Sequence, residues 1–403
     1  MEQGKRWIPM RWPAAWKEPS RLAALEGEAV NCLVFEDEAG CAEVKRAAVA
    51  RGMGVGQPEG VVRVTDGVWP GIARQTGKAA VAGPTGSPWV DSNGWQVRLR
   101  QAREPGKAVW VEAAIPKEAA QFVKGPGMVL AVADAAAYGA EWVIQPGAEA
   151  DLTGAPCRAM FEAVRFFERH AEWRSYVPLA RLGIVSDFAG ENEFIGSEVL
   201  NLAARRGLAY RVVVRGGMKA ADLAGLQGVL YVDGKVPEAA QAGVLKAFVE
   251  GGGLLIAMPE VGRTIGTGAA LADAPHGYTA RRVGKGRVAE PLKGWADPYI
   301  LASDAHTLLS RRHDFAKLFN ALSVVPYVTR SRDGKKTLLH LPNYALRSNP
   351  SQPLSVRLPA AVKKARWHVV GMDDSRELPL EAVEGFQEVR LPETPVYSAL
   401  EVE

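Results

Sequence analysis

From about residue 29 to residue 173, short apolar runs alternate with amphipathic stretches that close on glycine, and this alternation restricts the fold more than any other feature of the chain. Asn31-Cys-Leu-Val-Phe-Glu36 reads as a buried strand, and Ala39 to Arg51, stopped by Gly52, reads as the helix behind it. Val61 to Asp66, Lys78 to Gly83, Ala108 to Ala113 and Glu141 to Gln145 read as further strands, with an alanine-rich helix over Val129 to Tyr138 before the last. Strand and helix units in series imply parallel pairing with right-handed crossovers. Arg6 to Met10 and Met53 to Gln57 bring the strand count to seven, close to a (β/α)8 barrel, yet 173 residues fall well short of the ~250 usual for that fold. A short or incomplete barrel is expected.

The pattern resets after the helix Phe161 to Trp173, which Tyr176-Val-Pro178 breaks. Leu182 to Ser186, Tyr210 to Val214, Gly228 to Val232 and Gly253 to Ala257 read as four strands, with helices over Phe194 to Arg206 and Pro237 to Glu250 between them. That order predicts a small open sheet of flavodoxin or amidotransferase type. Beyond a helical stretch over Ser303 to Asn320 come short alternating runs at Val324 to Thr329, Lys336 to Leu341, Leu354 to Leu358, Arg366 to Val370 and Phe386 to Leu391. Pro350, Pro353, Pro359 and Asp333-Gly334 punctuate them, which predicts an antiparallel β-sandwich. The expected organisation is multidomain α/β plus β: a shortened barrel over 1–175, an α/β domain over 176–321 and a β-sandwich over 322–403.

Charge and composition exclude several functions. The 49 Lys+Arg and 45 Asp+Glu leave a net charge of +4 with no dense basic run, so no nucleic-acid partner is expected. No stretch approaches the ~18 apolar residues of a membrane span, so no membrane partner is expected either. Cys32, Cys41 and Cys157 show no CxxC spacing, and His276, His306, His313, His340 and His368 form no ligand pairs, so no metal site is expected. Gly52-Met-Gly-Val-Gly56 and Gly83-Pro-Thr-Gly86 match neither a dinucleotide nor a phosphate-loop fingerprint, and no cofactor is expected. An amidotransferase would need a nucleophilic cysteine, and residues 158–403 contain none. Met1 to Trp16 lacks an apolar core, so the location expected by default is cytoplasmic, or periplasmic or secreted if a leader has been removed.

The order of barrel, flavodoxin-like domain and β-sandwich, together with Lys107-Ala-Val-Trp-Val-Glu112, Val132-Ala-Asp-Ala-Ala-Ala-Tyr-Gly-Ala-Glu-Trp-Val-Ile144, Leu182-Gly-Ile-Val-Ser-Asp187 and Gly251-Gly-Gly-Leu-Leu-Ile256, resembles the β-galactosidases of glycoside hydrolase family 42. The likeness covers residues 107–403 in patches. It implies a β-galactoside or related sugar as substrate, a retaining mechanism with Glu112 as nucleophile, and a homo-oligomer, a trimer being the form the family suggests. The family's Asn-Glu acid/base dipeptide has no barrel counterpart here. Asn192-Glu193 opens a middle-domain helix and reads as its cap.

Retaining hydrolysis needs two carboxyl groups about 5 to 5.5 Å apart, and those at the carboxyl ends of barrel strands are eligible. Glu112 ends one strand reading. Asp66 and Glu36, with Asp37, Glu38 and Asp91, are the candidates for its partner. In Pro88-Trp-Val-Asp-Ser-Asn-Gly-Trp95, Trp89, Asp91, Asn93 and Trp95 mix indoles with directed polar groups, as a carbohydrate site requires, and Trp110 precedes Glu112 by two residues. Nine of the 11 tryptophans fall in the first 173 residues. They serve either a sugar cleft or the packing of a small barrel. The alternative to an active hydrolase is a catalytically inactive carbohydrate-binding or assembly protein derived from one.

Overall fold

A computed structural model describes residues 6–75, 78–81, 90–114, 125–274, 276–295, 297–311, 314–321, 323–346 and 353–403. The chain divides into two compact units, one of Met1–Tyr176, Leu318–Pro326 and Ser331–Glu403, the other of Val177–Lys317 and Tyr327–Arg330.

The first unit opens with β1 (Pro9–Trp12), β2 (Cys32–Phe35), β3 (Gly54–Val55), β4 (Val61–Val64), β5 (Ile72–Gln75), β6 (Lys78–Val81), β7 (Ala108–Val111) and β8 (Glu141–Trp142). β1 pairs with β2 and β2 with β3, β4 pairs with β7 and β7 with β8, all parallel. A parallel bridge from Met10 to Ile144 joins the two sets into the order β3-β2-β1-β8-β7-β4. Side chains alternate between the two faces of a strand. On one face Cys32, Val61, Trp110 and Val143 gather into a single cluster with Trp7 and Val34. Cys32 and Val61 belong to strands four places apart in that order, so the sheet curls to bring them together. The helices α1 (Ala42–Ala50), α2 (Gly94–Arg103), α3 (Pro126–Ala137) and α4 (Ala155–Arg169) connect or follow the strands.

Two corrections to the sequence reading arise here. The run from Lys78 is a strand, but it pairs antiparallel with β5. A crossover to a parallel neighbour takes a dozen or more residues, and only two separate these strands. The parallel strands of the arc therefore number six rather than seven. The second correction is α2, a helix over Gly94–Arg103 that the sequence reading does not contain.

The second unit holds β9 (Val177–Pro178), β10 (Leu182–Ser186), β11 (Tyr210–Val214), β12 (Gly228–Tyr231), β13 (Leu254–Ala257), β14 (Ala269–Ala270), β15 (Tyr278–Val283) and β16 (Gly286–Pro291). Its sheet runs β11-β10-β12-β13-β16-β15-β14, parallel from β11 to β16 and antiparallel beyond. That is seven strands where four were expected. Arg281, Arg282 and Arg287 broke the apolar pattern of the hairpin that extends the sheet. Val185, Val213, Val229, Leu255 and Val288 form its core with Leu245 and Val249 of α6 (Ala239–Glu250), which follows α5 (Glu193–Arg205). After α7 (Pro259–Ile265), α8 (Pro298–Leu308) stops well before Asn320, the end read from sequence.

The remaining strands are β17 (Lys317–Phe319), β18 (Tyr327–Arg330), β19 (Thr337–Pro342), β20 (Leu354–Pro359), β21 (Ala365–Val369), β22 (Arg376–Glu377), β23 (Glu381–Val383), β24 (Phe386–Leu391) and β25 (Tyr397–Val402). Within the first unit, β24 lies between β20 and β23, and β25 between β19 and β21, all antiparallel. β25 is buried along its whole length and was not read from sequence. In this unit Tyr344, just past β19, donates its hydroxyl to Asp134 of α3 at 2.5 Å.

Candidate functional site

Glu112 leaves the carboxyl end of β7 on the face that carries Trp110, two residues back. Ladder partners in a parallel pair share a face, so Arg63, opposite Trp110, points the same way. Arg11, the third residue of β1, completes the group. Oε1 of Glu112 accepts from Nη2 of Arg63, and Oε2 from Nη2 of Arg11. The Glu112 side chain is only 7% exposed, whereas Arg11 keeps 28% and Arg63 26%. Each carboxylate oxygen is thus held by a guanidinium group whose side chain keeps more exposure than the glutamate it pairs with. The backbone of Glu112 is fixed as well. Its N–H donates to Val64 at 3.0 Å and its carbonyl accepts from Gly67 at 3.2 Å. A Cβ at position 67 would lie 2.6 Å from that carbonyl oxygen, so the close approach depends on glycine.

The apolar layer beneath this group decides what Trp110 does. The indole is 1% exposed and packs with Cys32, Val61 and Val143, although its N–H finds no partner. Burying an indole contributes on the order of 4–6 kcal/mol, more than the roughly 1–3 kcal/mol lost with one unsatisfied donor. Trp110, expected at the substrate site, is placed by the structure in the apolar layer beneath Glu112, where it packs.

Asn93, also expected at the substrate site, is bonded to interior partners. It is fully buried, accepts from the Val68 N–H at 2.8 Å, and donates its amide to the Val68 carbonyl and to Asp134 at 2.9 and 2.8 Å. Burial pushes the Asp134 carboxyl above the usual carboxylate range, against the hydrogen bonds from Tyr344 and Asn93. Asp91 is half-buried, with its carbonyl accepting from Gly71, and Trp95 is half-buried at the start of α2. Trp89 lies outside the described residues.

The proposed partner carboxylates are dispersed. Glu36 is exposed at the end of β2, three strands from β7, and accepts from the Ala14 N–H at 3.1 Å. Asp37 accepts from Gly40 at 2.9 Å, and Glu38 pairs with Lys45 at 2.6 Å. Asp66 is exposed past the end of β4, the strand adjacent to that of Glu112. The tryptophans are mostly core: Trp12 and Trp16 meet edge to face at 5.0 Å, as do Trp69 and Trp142 at 5.2 Å. Asn192 holds the N-cap position of α5 but caps nothing; its amide bridges Asp187 and the Gly234 N–H, each at 2.9 Å.

No protein-family model and no curated protein sequence matches the chain. Solved structures do. An α-L-fucosidase isoenzyme from Paenibacillus thiaminolyticus is similar with a TM-score of 0.51 at 13% identity, over 93% of this chain and 77% of that one. A β-galactosidase from Bacillus circulans sp. alkalophilus gives 0.51 at 10% identity, over 90% and 66%. Gan42B, a GH42 β-galactosidase, gives 0.50 at 11% identity, over 77% and 56%. The fold is glycoside-hydrolase-like. Since fucosidase and β-galactosidases match about equally, the glycoside-hydrolase-like fold does not single out family 42, and the chain spans only 56% and 66% of the two β-galactosidases.

Arg11 and Arg63 were missed by the sequence reading. They lie on separate strands, and only the β1 and β4 registers place them beside Glu112. Among the described residues no helix is long and apolar enough to cross a membrane, and no cluster of three or more His, Cys, Asp or Glu is placed to hold a metal ion.

Proposed function

We propose that this glycoside-hydrolase-like protein binds carbohydrate at the carboxyl end of the β1, β4 and β7 arc and that Glu112 anchors the site rather than attacking a glycosidic bond. One observation supports this reading: each oxygen of Glu112 is taken by a different arginine, and the Glu112 side chain is more deeply buried than either of them. A nucleophilic carboxylate has to reach an anomeric carbon with its charge available. Two guanidinium groups neutralise that charge and occupy both of its oxygens. They suit a binding site, where arginine forks direct hydrogen bonds to sugar oxygens.

The second reading, a retaining hydrolase with Glu112 as nucleophile, draws on Asp66, which follows the strand next to that of Glu112. Titration of galactose and galacto-oligosaccharides, together with a screen of aryl β-galactosides and α-L-fucosides, separates the two. Saturable sugar binding without Glu112-dependent turnover is the expected result. Turnover that falls by orders of magnitude in Glu112→Gln would establish the hydrolase instead, and the absence of binding and turnover alike would remove both readings.

A further inference from the structure

Arg11 and Arg63 carry two positive charges against the single negative charge of Glu112, and among the described residues neither forms another ion pair. Glu112 takes one Nη2 bond from each. Among the described residues the Nε atom of each arginine is buried without a partner, so a ligand would meet the part of the side chain that stays exposed. The carboxylates that follow β2 have other partners: Glu36 accepts from the Ala14 N–H, Asp37 from the Gly40 N–H, and Glu38 pairs with Lys45 of α1.

A neutral sugar would supply weak acceptors and leave the surplus charge unmatched. An anionic group would supply charged oxygens with the fork geometry that guanidinium groups favour. We propose that the sugar bound here is acidic, with its carboxylate or sulfate ester seated between Arg11 and Arg63. This inference rests on the carbohydrate-binding reading above and adds the ligand's charge to it. The anion meets the exposed edges of the two arginines and completes a square of alternating charge with Glu112, which need not move.

The test is calorimetric titration of the full chain with galactose, galacturonate and galactose 6-sulfate in low and high salt. At least one acidic sugar should bind about tenfold or more tighter than galactose at low salt, and the gap should shrink as salt rises. Tighter binding of galacturonate alone identifies a carboxylate ligand; tighter binding of the 6-sulfate alone identifies a sulfate ester. Arg11→Gln and Arg63→Gln should each narrow the ratio of acidic to neutral affinity, and Glu112→Gln should widen it by removing the competing charge. Should the glutamine variants fail to fold, Arg11→Lys and Arg63→Lys keep the charge while losing the fork, and should lower the ratio without abolishing its salt dependence. Equal affinity for all three sugars at every salt concentration overturns the acidic-ligand inference and leaves the carbohydrate reading standing. Failure of all three to bind overturns that reading and the inference with it.

Discussion

Asp134 shows how far a single side chain can be committed to architecture. Fully buried on α3, it accepts from the Asn93 backbone at 2.9 Å, from the Asn93 amide at 2.8 Å and from Tyr344 at 2.5 Å. Tyr344→Phe deletes one donor and leaves an Asp134 oxygen buried with nothing to accept from. Its expected cost is roughly 1–3 kcal/mol, read as a lower urea midpoint at unchanged slope. A midpoint equal to the parent's would mean that the bond carries no net stability. Sequence made Glu112 visible, because a carboxylate after Val-Trp-Val marks a strand exit. It hid the roles of Asn93 and Trp110. A polar residue beside indoles looks the same in a sequence whether it faces a ligand or an interior partner, and only the buried Asp134 and Val68 groups settle which.

At the scale of elements, the end of α4 meets β19 and β21 through histidines that the sequence spaces too widely to connect. His170 Nδ1 lies 2.9 Å from the Phe166 carbonyl, which can only accept, so that nitrogen carries the proton. Its Nε2 lies 3.2 Å from His368 Nδ1, and His368 Nε2 is buried without a partner among the described residues. His340 meets the Tyr397 hydroxyl at 2.7 Å. Burial lowers His368 to about 4, helped by the charges of His170, Arg366 and Lys336, and lowers His340 to about 3, with Arg98 adding to it. Both folded values lie below the ordinary ~6.5, so the unfolded chain takes up protons first. The stability these rings contribute is full above pH ~6.5 and is lost as pH falls towards 4 and then 3. Melting temperature should therefore drop between pH 7 and pH 5, and His368→Gln should flatten the drop; an unchanged slope in that variant would assign the acid sensitivity elsewhere. Strands β10 to β13 were legible to within a residue because they are mostly apolar, with Arg211 their one charged residue. β15 and β16 were not, because strands towards the edge of a sheet can carry arginine.

The whole molecule is ordered differently from its sequence. The first unit takes its strands from both sides of a contiguous α/β insert, Val177–Lys317. That insert holds β10 to β16 with its own core and should fold when expressed alone, giving a cooperative urea transition and mixed α/β circular dichroism. A fragment of residues 1–176 lacks Tyr344, β19 and β25, and should remain unfolded or partly ordered; cooperative unfolding of that fragment would show the arc to be autonomous. The bond from Tyr344 to Asp134 spans 210 positions. At the ~5–20 residues per second of synthesis, roughly 10–40 s pass between the emergence of its two ends. Throughout that interval the α3 face around Asp134 waits without its partner, and the insert is completed before that partner emerges. Changes near β19 and β25 should therefore reduce the yield of newly made protein sooner than they lower the melting temperature of protein that has already folded.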